Sequence, residues 1–182
     1  MDRHYRIETF NEELMQARVH EVLALEAVFY RHLGRVYADE VWEEKHFLSP
    51  RLGKWELSKA VFSVADDKLI GFWIASCQDK KDLHTHRVGI HPDWRGIGIL
   101  RTLFEAIYTD GKRLGLKYIS AITDVANLNS WSASRALGYR ILSGAELEAF
   151  KVNRGRDHDR IEGNQLVSPE GYRYYALQRD IE

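Results

Sequence analysis

The middle of the chain constrains the fold most, because residues 88–100 read VGIHPDWRGIGIL. An apolar stretch comes first, then a proline that cannot donate to a sheet ladder, then two glycines and a stretch with helical spacing. This order predicts a strand, a tight turn and a helix N-terminus. Glycines allow close backbone approach, and the first N–H groups of a helix carry partial positive charge. The segment is therefore a candidate pyrophosphate site, with an ordinary strand-to-helix connection as the alternative.

Two other phosphate-binding motifs are excluded here. No Gly-Lys-Ser or Gly-Lys-Thr string follows, so this is not a Walker A loop. Gly96-Ile97-Gly98 lacks the third glycine of a dinucleotide-binding turn and has no matching βαβ unit around it. The glycine turn must therefore be interpreted from its own surroundings.

The surrounding patterns predict a mixed sheet with helices on both faces, an α/β or α+β fold. Asn11 is a good N-cap for a first helix that should stop near Gly34. The polar segment 153–170, with mixed charges and two glycines, is interpreted as a long loop, and 53–55 as a short one. The predicted strands are 5–10, 60–65, 68–78, 83–90, 117–123, 139–143 and 172–181, and the predicted helices are 12–34, 38–48, 98–115 and 129–137.

Composition narrows the function classes. Lys plus Arg is 26 and Asp plus Glu is 27, so the chain lacks the positive charge expected of a nucleic-acid-binding protein. Cys77 is the one cysteine, which excludes an internal disulfide and favours a reducing compartment. We find no signal-peptide pattern and no apolar stretch of about 18 residues. We expect one cytoplasmic domain over residues 1–182 without membrane partners; the sequence leaves a homodimer open.

Two blocks together resemble the GNAT superfamily of acyl-CoA-dependent N-acyltransferases. The family's phosphate loop has the form Arg/Gln-x-x-Gly-x-Gly/Ala after a strand ending Val-x-Pro. Here Arg95 and Gly98 fill the first two loop positions, and Leu100 stands where a second Gly or Ala is usual. The second block, Asn-Leu-Asn-Ser at 127–130 and Ala-Leu-Gly-Tyr at 136–139, is similar to the family's Asn-x-x-Ser/Ala and Leu-Gly-Phe pattern.

The resemblance implies a GNAT-like mixed sheet of about six to seven strands, splayed at its centre and flanked by about four helices. It also implies acetyl-CoA as the acyl donor. The strand backbone would pair with the pantetheine arm, and the N–H groups of the glycine turn would hold the pyrophosphate. Cofactor binding is thereby assigned to Val88, Gly89, Ile90, Arg95, Gly96, Ile97, Gly98, Ile99, Leu100, Arg101 and Asn127.

Histidines cluster next to this block, with three of the eight lying between His84 and His91. His84 and His86 are two apart on a predicted strand, so they should share one face, together with Val88. They resemble the paired histidines of arylalkylamine N-acetyltransferases, which nominates them as general base, directly or through water. The alternatives are exposed strand residues, or a metal site completed by a third ligand. That ligand would be Asp79, Asp82 or His91.

The remaining roles follow from the resemblance. Many relatives carry a tyrosine that protonates the departing thiolate, and Ser134 stands at that position here, so Ser134 or a water would act. Acceptor binding is assigned to Tyr30, Tyr37 and Trp42 near the first helices and to Asp124 at a strand end, with packing or capping as the alternative. The main hypothesis is acyl transfer to a small-molecule amine or amino sugar. A non-catalytic acyl-CoA-binding module and a metal-dependent hydrolase are the other two.

Overall fold

A computed structural model describes residues 4–34 and 41–182, and a mixed sheet runs through its centre. The sheet order is β1-β2-β3-β4-β5-β9-β8-β7, and β6 pairs with β9. The described strands are β1 (Tyr5–Thr9), β2 (Lys59–Ser63), β3 (Leu69–Cys77), β4 (Asp82–Ile90), β5 (Tyr118–Asp124), β6 (Arg140–Ile141), β7 (Arg160–Glu162), β8 (Gln165–Val167) and β9 (Arg173–Asp180).

Helices cover both faces of this sheet, because their apolar side chains need a surface to bury against. The described helices are α1 (Glu12–Tyr30), α2 (Glu44–Leu48), α3 (Lys54–Leu57), α4 (Ile99–Arg113), α5 (Leu128–Ala136) and α6 (Gly144–Asn153). Helix α1 packs with Phe62, Phe72 and Ile74 on one face. Helix α4 packs with Trp73 and Leu83 on the other. In the described ranges no helix is both long and apolar enough to cross a membrane.

Strands β4 and β5 form the one parallel pair among the described strands, and they separate partway along. Asp82 to Thr85 pair in register with Tyr118 to Ala121. Beyond that point β4 continues to Ile90 and β5 to Asp124 without pairing to each other. The separation opens a gap in the middle of the sheet, as the predicted central splay requires.

A bulge in β4 changes which side chains face which helix. Ile74 of β3 pairs with Arg87 and Ala75 pairs with Thr85, so His86 is the extra residue. His86 therefore stays on the α1 side with His84, while Val88 packs into the core on the α4 side. The expectation that Val88 shares the face of the two histidines is wrong, because a strict two-residue period does not survive a bulge.

The mixed α/β class is confirmed, but the numbers of strands and helices differ from the predicted ones. The short loop predicted at 53–55 gives way to helix α3 from Lys54. Helix α6, which follows β6, was not predicted. The segment predicted as a long loop contains the β7–β8 hairpin, in which Arg160 pairs with Val167. Of the helix predicted at 38–48, residues 44–48 are helical and 35–40 lie outside the described residues.

Candidate functional site

A cleft of about 890 Å³ occupies the gap between β4 and β5. Its walls come from both strands, from the end of α1 and from the starts of α4 and α5. It brings together most of the side chains that the sequence singled out. Those lining it are Tyr30, Trp42, His84, His86, Val88, Gly89, Ile90, Arg95, Gly96, Gly98, Ile99, Leu100, Asp124, Asn127 and Ser134.

Three of the nominated residues are not among the cleft's described lining. Ile97 and Arg101 are exposed next to the glycine turn and lie outside the lining residues. Tyr37 lies outside the described residues. The structure therefore gives no contact of these three side chains with the cleft.

The glycine turn forms one end of the cleft. Gly96 and Gly98 have φ values of +81° and +90°, in the left-handed region that glycine adopts at little cost. No atom lies within 4 Å of the position that a Cβ would take at either glycine. Helix α4 begins at Ile99, so its first N–H groups lack partners within the helix. A backbone cradle of this kind fits a pyrophosphate group.

The backbone of β4 at Val88 is already hydrogen bonded. The Tyr30 hydroxyl donates to the Val88 carbonyl oxygen at 3.0 Å, and the Val88 N–H donates back to the same hydroxyl at 3.3 Å. Nearby, Arg95 Nε donates to the Ile90 carbonyl oxygen at 2.9 Å. Backbone hydrogen-bonding groups of β4 that a ligand in the gap could pair with are thus already bonded to the Tyr30 and Arg95 side chains.

His84 stands at the end of a buried hydrogen-bond chain. The Ser120 hydroxyl donates to Asp82 Oδ1 at 2.7 Å, and Arg154 closes the chain through an ion pair with Asp82. The Nδ1 atom of His84 lies 3.0 Å from the Ser120 oxygen. A serine hydroxyl has one hydrogen, and Ser120 donates it to Asp82. The protonated ring nitrogen of His84 must therefore be Nδ1, which donates a hydrogen bond to the Ser120 oxygen. The Nε2 atom of His84 is then left with its lone pair.

His86 packs beside His84 with different partners. The two rings meet edge to face with centroids 5.0 Å apart. His86 Nε2 lies 2.7 Å from the Ser76 hydroxyl, and the His86 ring packs against Trp42 at 5.5 Å. The structure thus brings the two histidines together on one side of the cleft.

Both histidines are neutral at physiological pH. Burial, with smaller contributions from Arg51 and Arg156, lowers the pKa of His84 to about 3. Burial together with the neighbouring His84 ring and nearby cations lowers the pKa of His86 to about 2. Desolvation disfavours the charged imidazolium, so each ring remains able to accept a hydrogen bond across the neutral pH range.

Two residues with hydroxyl groups lie in the wall of the cleft opposite the histidines. Ser134, the residue nominated as acid, is half-buried in α5 and lines the cleft. Tyr139, the residue just before β6, packs edge to face on the Phe104 ring, with the two ring centroids 6.0 Å apart. Its buried hydroxyl has no hydrogen-bond partner among the described residues, and burial raises its pKa. Tyr139 therefore holds a neutral donor in the cleft wall.

The side of the cleft next to His86 is aromatic and basic. Trp42 packs against both His46 and His86 and lies 4.9 Å below the Arg87 guanidinium. Asp124 also lines the cleft, but its Oδ1 accepts from the Ala126 N–H at 2.6 Å, so it caps the turn after β5. Arg156, from the segment predicted as a loop, completes this side.

Three residues near the histidines or in the cleft lining were not nominated individually from the sequence: Ser120, Arg154 and Arg156. Ser120 is 36 positions from His84 and Arg154 is 72 from Asp82, so no local motif links them. Only the pairing of β4 with β5 could have indicated Ser120.

The metal hypothesis has no support in the described part of the chain. In residues 4–34 and 41–182 no three His, Cys, Asp or Glu residues come close enough to hold an ion. The suggested third ligands have other partners: Asp79 accepts from the Lys81 and Asp82 N–H groups, Asp82 binds Arg154, and His91 Nδ1 accepts from the Asp93 N–H.

Solved structures share this fold across nearly the whole chain. The ribosomal-protein-S18-alanine N-acetyltransferase from Escherichia coli is 14% identical, with a TM-score of 0.65 over 98% of this chain and 95% of that one. Aminoglycoside 6'-acetyltransferase type Ii is 17% identical, with a TM-score of 0.63 over 97% of each chain. The PaiA N-acetyltransferase from Thermoplasma acidophilum in complex with coenzyme A is 13% identical, with a TM-score of 0.62 over 97% and 99%.

Sequence comparison gives the family. A search of curated proteins finds no match. The family model described as "Acetyltransferase (GNAT) family" matches residues 19–139, which includes the part of α1 from residue 19 on, the glycine turn and the Leu-Gly-Tyr block. This match covers more than half of the 182 residues and spans both walls of the cleft. The chain therefore belongs to the GNAT acetyltransferase family.

Proposed function

We propose that this protein is an N-acyltransferase that moves an acetyl group from acetyl-CoA to the primary amine of a small molecule. The observation that carries the proposal is the arrangement of the cleft. A helix N-terminus suited to pyrophosphate lies at one end, and His84 with a free Nε2 lone pair lies at the other. Both open into the same gap between β4 and β5. Family membership and the acetyltransferase neighbours support the same reaction.

The residues present fit acetyl-CoA. The N–H groups of Gly96 through Leu100 would bind the pyrophosphate, and the open space at Gly96 and Gly98 lets it approach the backbone. The pantetheine amides would pair with Val88 in the manner of an added strand. This pairing requires the Tyr30 hydroxyl to leave the Val88 N–H and carbonyl groups that it now binds.

The protein's role is to position groups and move protons. In the reaction the amine attacks the thioester carbonyl, the C–N bond forms and the C–S bond breaks. The attacking nitrogen must lose a proton, and His84 Nε2 accepts it directly or through a water. Burial lowers the His84 pKa, so the ring is neutral with its lone pair available, and the proton that it accepts is released to water in the cleft. His86 packs edge to face on the His84 ring and against Trp42, so it helps to hold the His84 ring in place.

The departing thiolate is protonated from the other wall. Ser134 lies there in place of the tyrosine that many relatives use, and it acts as donor directly or through a water. The Tyr139 hydroxyl is a second neutral donor in that wall, and it stabilises the developing charge by hydrogen bonding.

Release of thiol from acetyl-CoA tests the proposal. We expect release to depend on an added amine and the acetylated amine to form in equal amount. The amines tested should include simple alkylamines, arylalkylamines and amino sugars, so that the assay covers several classes of acceptor. Coenzyme A binding without amine-dependent release across these amines would instead favour a non-catalytic acyl-CoA-binding module, which the Ser134 replacement also favours.

A further inference from the structure

The charged side chains whose fields act on the pKa values of His84 and His86 have one sign. They are Arg51, Lys54, Arg87 and Arg156, and their fields lower those pKa values. Each of them is a cation. A positive field at this end of the cleft makes it harder to place a second positive charge there and easier to place a negative one.

Arg156 is the cation best placed to bind a ligand. It lines the cleft and packs 4.8 Å above the Tyr174 ring. Its Nε donates to the buried Asp159 at 2.5 Å, which fixes the direction of the guanidinium. Among the described residues, its Nη1 and Nη2 atoms have no hydrogen-bond partner. A planar fork held in this way suits two hydrogen bonds to one carboxylate.

The other charged side chains described near the cleft have partners of their own and do not bind the Nη1 and Nη2 atoms of Arg156. Arg87 is bound to the buried Glu26 at 2.7 Å, behind Trp42. Asp124 is the one carboxylate among the described lining residues, and it caps the turn at Ala126. The charge of Arg156 is therefore offset by Asp159 on its Nε side alone.

We propose that the acceptor carries a carboxylate, which Arg156 binds through Nη1 and Nη2 while the amine lies at His84. This inference rests on the acyl-transfer function proposed above and names its substrate class. The same field favours the neutral form of the bound amine, which is the form that attacks. Acceptors with several positive charges are disfavoured for the same reason. Tyr30 and Trp42 also line the cleft, so an aromatic spacer would have aromatic side chains to pack against.

Three benzylamines with different para substituents test the charge preference directly. They are 4-(aminomethyl)benzoate, 4-(aminomethyl)benzamide and 4-(aminomethyl)benzylamine, which share the reacting amine and differ in charge. We expect the benzoate to bind to the protein–coenzyme A complex about 10- to 100-fold more tightly than the benzamide, with the diamine weakest. Calorimetry measures binding, and thiol release from acetyl-CoA measures kcat/KM.

Two variants assign the preference to a residue. Arg156→Gln should remove the difference between benzoate and benzamide. Arg160→Gln is the matched control, because that arginine lies on the same segment, is 61% exposed and pairs with Glu162 away from the cleft. It should retain the wild-type preference.

Each outcome separates the two proposals. A benzoate preference in binding, without thiol release from any amine, would support the carboxylate site and contradict acyl transfer. Turnover with equal binding of benzoate and benzamide would support acyl transfer and overturn the carboxylate site. Preference for the diamine, a preference that survives in Arg156→Gln, or no binding of any of the three would also overturn it.

Discussion

The Nδ1 atom of His84 lies 3.0 Å from the hydroxyl oxygen of Ser120, across the last part of the parallel pairing between β4 and β5. The two residues are register partners, so backbone pairing fixes their separation. The Ser120 hydroxyl gives its hydrogen to Asp82, which leaves it able only to accept from His84. The sheet thereby sets which ring nitrogen of His84 is protonated and which keeps its lone pair.

Replacing Ser120 with alanine tests this positioning role. Ser120→Ala lets the His84 ring adopt the other tautomer, and we expect kcat to fall about 10- to 100-fold, as for other groups that orient a functional histidine. The dissociation constant for coenzyme A should not change. Ser58→Ala is the control, since Ser58 is equally buried and its hydroxyl bonds to Ala75 outside the cleft.

A purely structural role for Ser120 would give a different pattern. Both serine variants would then lose stability and lose kcat in proportion. Equal kcat in Ser120→Ala and the native protein would remove Ser120 from the account.

The buried histidines also make stability depend on pH. Their folded-state pKa values of about 3 and about 2 lie below the unfolded value of about 6.5. Below about pH 6.5 the unfolded chain therefore binds more protons, and stability falls as the pH falls. Each histidine contributes a slope of up to about 1.4 kcal/mol per pH unit.

Urea unfolding between about pH 5 and pH 6.5 measures this slope, in a range where most carboxylates stay ionised. His84→Gln should lower the slope by up to about 1.4 kcal/mol per pH unit, the contribution of one proton. Replacement of the exposed His20 by glutamine should keep the native slope. A slope that is identical in all three proteins would show that His84 is protonated in the folded state.

The glycine turn gives a prediction that separates strain from binding. Gly98→Ala places a side chain at φ +90°, and Gly163→Ala does so at +63° in the turn between β7 and β8. Both should lose about 1–2 kcal/mol of unfolding free energy. Only Gly98→Ala should weaken coenzyme A binding, because only Gly98 lines the cleft. Equal coenzyme A affinity in the two variants would place the pyrophosphate elsewhere.

Tyr30 competes with the pantetheine arm for Val88 in this account. Tyr30→Phe removes the hydroxyl that binds the Val88 N–H and carbonyl groups. We expect coenzyme A to bind about 2- to 10-fold more tightly, which corresponds to the net value of a hydrogen bond. Tyr108→Phe removes a hydroxyl that accepts from the Glu182 N–H instead, and it should not change the affinity. Weaker coenzyme A binding in Tyr30→Phe would make the hydroxyl a ligand rather than a competitor.

Much of the fold could be predicted from the sequence where local signals are strong. The Asn11 cap, the Pro92 strand end and the glycines before α4 each dictate local geometry, and the elements follow. The β7–β8 hairpin was missed because its strands are three residues each, which is too short to show a clear alternation. Its stability comes from pairing with β9.

The candidate site could be predicted only in part. The two-residue strand period correctly placed His84 and His86 on one face, and the bulge at His86 then reversed the face of Val88. Ser120 contacts His84, and Arg156 lines the cleft, from distant segments. Their contribution depends on strand register and on the packing of the segment that follows α6, which no local pattern encodes.

Steady-state thiol release from acetyl-CoA, with and without amine, tests whether His84 serves an acyl transfer when native protein is compared with His84→Gln and His20→Gln. We expect amine-dependent release that falls about 10²- to 10⁴-fold in His84→Gln and stays at the native rate in His20→Gln. Release that is independent of amine, or equal in His84→Gln and native protein, would contradict this role of His84.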